Sequence, residues 1–139
     1  MNLLITGSSG HIGSFVAENI YKIKKIKKTF LVDNFSANNF HSLFNLKKKN
    51  KLNFFLKDLN DTNSLTGLKK IDYIIHCASM TNAEKSFLNS KKMYKNNLNC
   101  LKSVINLCKK KNAKLIHIST SSVYGKKTNI VDENCEKKY

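Results

Sequence analysis

Three glycines, one carboxylate and a run of hydroxyls carry the chemistry that can be read from this sequence. Gly7, Gly10 and Gly13 fall three residues apart in Leu3–Gly13, LLITGSSGHIG. A strand that turns on such glycines into a helix makes a phosphate cradle. Gly7 allows the sharp turn, Gly10 has no Cβ to keep backbone from a pyrophosphate, and Gly13 lets the helix lie close on the sheet. The helix start then turns its free N–H groups and the positive end of its dipole toward the phosphates. Ser9, His11 and Ile12 complete the cofactor-facing turn. A plain strand-to-helix turn can have the same spacing, so the context must decide. Asp33 stands 20 residues after Gly13, where the apolar run Thr29–Val32 ends. A carboxylate there can accept from both adenosine ribose hydroxyls and repels a 2′-phosphate, favouring NAD over NADP. The alternative is an Asp that simply opens a loop. The third group is Ser119-Thr120-Ser121-Ser122-Val123-Tyr124-Gly125. It follows a strand, at the end where open parallel sheets bind ligands.

Strands must alternate with helices to put these groups on one edge. Leu3-Leu4-Ile5 reads as the first strand. Ile12, Phe15, Val16, Ile20, Ile23 and Ile26 recur at helical spacing, which predicts a helix from about His11 to Lys27. Thr29–Val32 is the second strand, and Leu52–Leu56 the third. Between them, 37–50 reads as a polar loop with one or two helical turns. A short helix is expected over about Thr62 to Leu68, and a buried strand over Ile71–Ala78. A long helix is expected over roughly Ser90 to Lys111, with Tyr94, Leu98, Leu101, Ile105 and Cys108 on one face. Leu115–Ser119 is the fifth strand. The expected fold is a Rossmann-like α/β doubly wound parallel sheet, strand order 3-2-1-4-5, with right-handed crossovers.

The 139 residues suit one domain, 1–139, and 41% hydrophobic residues suffice for a core. The N-terminus runs straight into a strand without a signal-peptide pattern, and no apolar run suggests a membrane span. Cys77, Cys100, Cys108 and Cys135 form no C-x-x-C pair, which implies reduced thiols in a cytoplasmic protein. No metal site is expected: His76 and Cys77 are adjacent on a strand and point to opposite faces. The formal charge of +16 invites a nucleic-acid reading. All 25 basic residues are lysine, however, and they scatter over helix ends and turns. Specific phosphate and base contacts usually recruit arginine, so a solvated surface is the better reading.

With Thr6 before it, TGSSGHIG resembles the fingerprint of the short-chain dehydrogenase/reductase superfamily, in its extended branch of nucleotide-sugar epimerases and dehydratases. Asp33-Asn34-Phe35-Ser36 is similar to the Asp-Asn-x-Ser-like turn of those enzymes, which adds Asn34 to the cofactor set. The resemblance implies that Asp58 accepts from the adenine amino group and that Leu59 covers the ring. It implies that Ala78 and Ser79 pass under the nicotinamide ribose and pyrophosphate, while His76 is a packed strand residue. Asn97 matches an Asn that holds the active-site backbone, although the Gly-Thr that follows in the family is absent. The segment at 119–125 resembles the family's Ser-Ser/Thr-x-x-Val-Tyr-Gly. By that match Thr120 is the catalytic hydroxyl, Ser119 lies at the cofactor, and Ser121 and Ser122 face substrate. Sugar 4,6-dehydratases of the family carry Asp and Glu at the last two positions, and serine cannot replace them as acid or base.

The family's Tyr-x-x-x-Lys pair has no counterpart: Tyr139 is the last residue and sits too near Thr120. The resemblance therefore implies the amino-terminal, NAD-binding part of a UDP-glucose 4-epimerase-like protein acting on a nucleotide sugar. It implies no turnover by this chain alone. Full-length relatives often form homodimers through a four-helix contact that includes the long helix. The alternatives are another enzyme of the family, a sugar dehydratase or reductase, and a non-catalytic dinucleotide-binding sensor or scaffold.

Overall fold

The structure is a computed structural model that describes residues 1–47, 51–81 and 83–120. Its strands are β1 (Asn2–Thr6), β2 (Lys28–Asp33), β3 (Leu52–Leu56), β4 (Tyr73–His76) and β5 (Lys114–His117). All pair in parallel, in the order β3-β2-β1-β4-β5 expected from the sequence. Thr6 pairs with Val32 and with His76, and His76 with His117. The registers bring all five carboxyl ends to one edge. That is the edge on which a doubly wound sheet places its site.

Two cores flank the sheet. Leu3, Ile5 and Leu31 pack with Ala17 and Ile20 of the first helical segment on one face. Leu4, Val32 and Ile74 pack with Cys100, Val104 and Leu107 on the other. Central strands buried on both faces read as unbroken apolar runs, and Leu3-Leu4-Ile5 does so.

Helix α1 (His11–Asn19) is shorter than its periodicity predicts. A 3₁₀ turn takes over at Ile20–Lys22, and the Lys27 N–H is already bonded to the Met1 carbonyl (2.8 Å). The chain must leave the helix early to enter β2 alongside β1. The buried face of α1 is Gly13 and Ala17, so Phe15, expected inward, stands 67% exposed. The expected helix at 62–68 is a series of turns. There the Asp61 carboxylate accepts the Asn63 N–H, and Gly67 has φ +91°. Short polar side chains compete for the backbone here and stop a helix from forming. The turns still bury Leu65 and Leu68.

Helix α2 (Ala83–Lys111) is interrupted at Asn89, whose backbone is non-helical. It docks by Cys100, Ser103, Val104 and Leu107; of the predicted stripe, Cys108 packs against that core and Leu98 and Leu101 are half-buried, but Tyr94 is 69% exposed and Ile105 is exposed as well. Both stripes have helical period, and periodicity alone does not choose between them. The smaller residues allow a close approach, and the buried Ser103 hydroxyl donates to the Leu59 carbonyl (2.8 Å), which fixes the helix's rotation. Past the helix, Asn112 takes a left-handed conformation and the Ala113 N–H bonds the Cys108 carbonyl.

Candidate cofactor-binding site

The glycine turn follows β1 directly. Gly7 has φ +67°, and a Cβ on it would lie 2.6 Å from the Ala78 nitrogen. Only glycine suits both the conformation and the contact. A Cβ at Gly13 would lie 2.1 Å from the Gly7 carbonyl oxygen. Gly13 thus lets α1 sit on the turn itself, while Ala17 makes the close contact with the sheet. Helix α1 begins after Gly10 without a side-chain cap and without an acidic residue in its first turn. Its N-terminal dipole is left for an outside anion. Ser8 and Ser9 are buried in the turn, and His11 and Ile12 are exposed at its rim.

Asp33 ties the end of β2 to this turn. Its Oδ2 accepts the Ser9 N–H (2.9 Å) and its Oδ1 the Phe35 N–H (2.8 Å). Each oxygen keeps a lone pair for a further donor. Phe35 is held left-handed, φ 54°, with its ring stacked on Phe54 (5.1 Å). The Ser42 hydroxyl reaches back to the Ser9 carbonyl (2.8 Å) and braces the turn from the 3₁₀ segment Phe40–Leu43.

Across the edge, Asp58 follows β3. Its Oδ1 accepts the Asn60 backbone N–H (2.8 Å) and the Asn60 side-chain amide (3.0 Å). The Asn60 backbone N–H holds the Asp58 carboxyl below the usual carboxylate range. Desolvation opposes this, and the side chains of Asn60 and Asn34 add to the lowering. Leu59 is 4% exposed and belongs to the core, so it supports the loop from beneath. Burial, reinforced by the charge of Asp58, pushes the Cys100 thiol up to about 11, so it is neutral at ordinary pH.

Ala78 and Ser79 follow β4, Ala78 against Gly7 and Ser79 exposed. The next residue, Met80, is gripped by Asn97 of α2: its N–H donates to Asn97 Oδ1 (2.8 Å) and its carbonyl accepts from Nδ2 (3.1 Å). His76 is a buried strand residue, bonded through Nδ1 to the Thr6 hydroxyl (2.7 Å) and stacked on His117 (5.4 Å). Burial, with His117 beside it, lowers its pKa to about 4. Ser119 and Thr120 lie beyond β5, exposed at the same edge. Ser121, Ser122 and Tyr139 lie outside the described residues. Among the described residues no group of three His, Cys, Asp or Glu could hold a metal, and no helix is long and apolar enough to cross a membrane.

Two contributors were missed in the sequence. Asn60 joins Asp58 to α2, and Asn96 receives it there. No spacing pointed to either, because asparagines are common throughout this chain.

The parallel sheet, the glycine turn and the populated carboxyl edge define a Rossmann-like domain. The sequence model of the NAD dependent epimerase/dehydratase family matches residues 3–139, and the chain belongs to that family. It is 33% identical over 139 residues to a dTDP-D-glucose 4,6-dehydratase of Dictyostelium discoideum, covering 95% of this chain and 31% of that protein. It is 29% identical to an uncharacterized UDP-glucose epimerase of Bacillus subtilis, over 96% and 44% of the two chains. Among solved structures, the UDP-Glc/GlcNAc 4-epimerase of Campylobacter jejuni aligns with a TM-score of 0.86 at 28% identity, covering 98% of this chain and 42% of that one. A UDP-glucuronic acid 4-epimerase of Bacillus cereus in complex with NAD aligns at 0.81 and 28%, over 99% and 45%. The chain thus spans less than half the length of these relatives.

Proposed function

We propose that this chain is the NAD-binding part of a nucleotide-sugar epimerase, and that it prefers NAD to NADP. The observation that carries this reading is the Asp33 carboxylate, docked on the Ser9 N–H beside the uncapped start of α1. The cradle fits a dinucleotide: the Gly13 and Gly7 positions admit no Cβ, and the helix terminus is free of competing acids. Gly7, Ser9, Gly10, His11, Ile12 and Gly13 would hold the pyrophosphate. Asp33 and Asn34 would hold the adenosine ribose, and Asp58 the adenine. Ala78, Ser79, Asn97 and Ser119 would line the nicotinamide side. When bound, NAD supplies a reversible hydride acceptor. The Thr120 hydroxyl would hydrogen-bond the sugar oxygen at the carbon that changes oxidation state, and Ser121 and Ser122 would face the sugar. Those two serines favour epimerisation over 4,6-dehydration, which calls for an acid and a base. A homodimer contact would use the stripe of exposed Tyr94 and Ile105 with half-buried Leu98 and Leu101.

Calorimetric titration tests the reading. NAD should bind this chain at least about tenfold tighter than NADP, a difference of about 1.4 kcal/mol. Equal affinities would remove the Asp33 argument. No detectable NAD binding would remove the cofactor reading, and epimerase turnover by the 139-residue chain would overturn the expectation that it is inactive alone.

A further inference from the structure

A line of side-chain amides joins the loop after β3 to the loop after β4. Asn60 Nδ2 donates both to Asp58 Oδ1 (3.0 Å) and to Asn96 Oδ1 (2.7 Å). Asn96 Nδ2 donates to Asn97 Oδ1 (3.1 Å), which also accepts the Met80 N–H, while Asn97 Nδ2 donates to the Met80 carbonyl. The direction of every bond is set from both ends. The Asp58 carboxylate only accepts, so Asn60 must turn its NH₂ toward it. The Met80 peptide offers its N–H and C=O in fixed places, so Asn97 has one orientation that satisfies both. Asn96 must then donate to Asn97 and accept from Asn60. An aspartate at 96 would lack the donor, and an apolar residue would lack both.

We propose that Asn96 is a positioning residue that couples the two halves of the dinucleotide site, so that occupation of the Asp58 loop orders the Met80 loop. Asn96 touches no reacting atom in this role. Without it Asp58 keeps both bonds from Asn60, and Met80 keeps both bonds from Asn97; what is lost is the tie between them. The inference rests on the reading of Asp58 as an adenine-side group.

The test is amide hydrogen exchange at Met80 with and without AMP, which carries the adenosine half and lacks the nicotinamide half. Wild type, Asn96→Leu and Asn96→Asp are compared, with AMP binding measured separately by calorimetry. Leucine is a stronger helix former than asparagine, and Asn96→Asp keeps the Asn60 bond if the leucine variant folds poorly. AMP should slow exchange of the Met80 N–H about fivefold or more in wild type and leave it unchanged in both variants, although both still bind AMP. Equal protection in wild type and variants, or none in any of them despite AMP binding, overturns the coupling. Failure of wild type to bind AMP overturns the adenine-side reading itself and the coupling with it.

Discussion

The glycine turn after β1 is shaped by close backbone approach and then tied by Asp33 and Ser42, whereas the loops after β3 and β4 are tied to α2 by side-chain amides. On the first bank a carbonyl oxygen fills the space where a Cβ would be, and Asp33 accepts two backbone N–H groups. On the second bank the grip on Met80 and the restraint of Asp58 run through asparagine amides. Backbone constraints admit one residue type and tolerate no exchange. Amide links can be cut one at a time, each costing about a hydrogen bond.

Substitutions that act on one bank at a time sharpen the contrast. The largest effect belongs to the first bank. Gly13→Ala sets a methyl against the Gly7 carbonyl oxygen and should lower stability by about 3 kcal/mol or more in urea denaturation. A loss under about 1 kcal/mol would mean that α1 can slide, and the turn would not be rigid. Next is a proton-linked effect at the end of β4. His76 is held neutral, with its pKa lowered to about 4, whereas the unfolded chain takes up a proton near 6.5. Its contribution is complete above pH 6.5 and is lost progressively down to about pH 4, by on the order of 3 kcal/mol. Denaturation midpoints across this window should fall for wild type and fall less for His76→Asn.

Asp33→Asn trades a carboxylate for an amide with one acceptor oxygen and no charge. It should cut the preference for NAD over NADP by about tenfold, roughly 1.4 kcal/mol, when the two are titrated in parallel. An unchanged ratio would place cofactor choice elsewhere. The smallest effect is on the second bank: Asn97→Ala should cost about 1 kcal/mol in stability while speeding amide exchange at Met80. A loss as large as that of Gly13→Ala would erase the distinction between the banks.

The same distinction explains what could be read from the sequence. Glycine spacing, the Asp33 distance and apolar runs that end in polar residues reflect strict backbone demands. They led to the strand order and the carboxyl edge. The docked face of α2 lies one position from the expected one, because Cys100-Val104-Leu107 and Leu101-Ile105-Cys108 share a period and contacts distant in sequence, the Ser103 bond to Leu59 among them, decide between them. The turns at 61–67 bury the same leucines that a helix would have buried, so hydrophobicity could not tell the two apart. Asn60 and Asn96 were invisible because a pairwise amide contact leaves no pattern along the chain.

Strand β1 has a temporal consequence as well. It lies between β2 and β4, and its Leu3 pairs with Thr29 on one side and with Tyr73 on the other. A chain emerging from the ribosome can close the first ladder early. The second must wait until the polypeptide through β4 has been made. Until then one flank of Leu3-Leu4-Ile5 stays bare, and parallel pairing over such a separation is slow. The segment that anchors the cofactor cradle is therefore also one that the nascent chain leaves open to mispairing until β4 arrives.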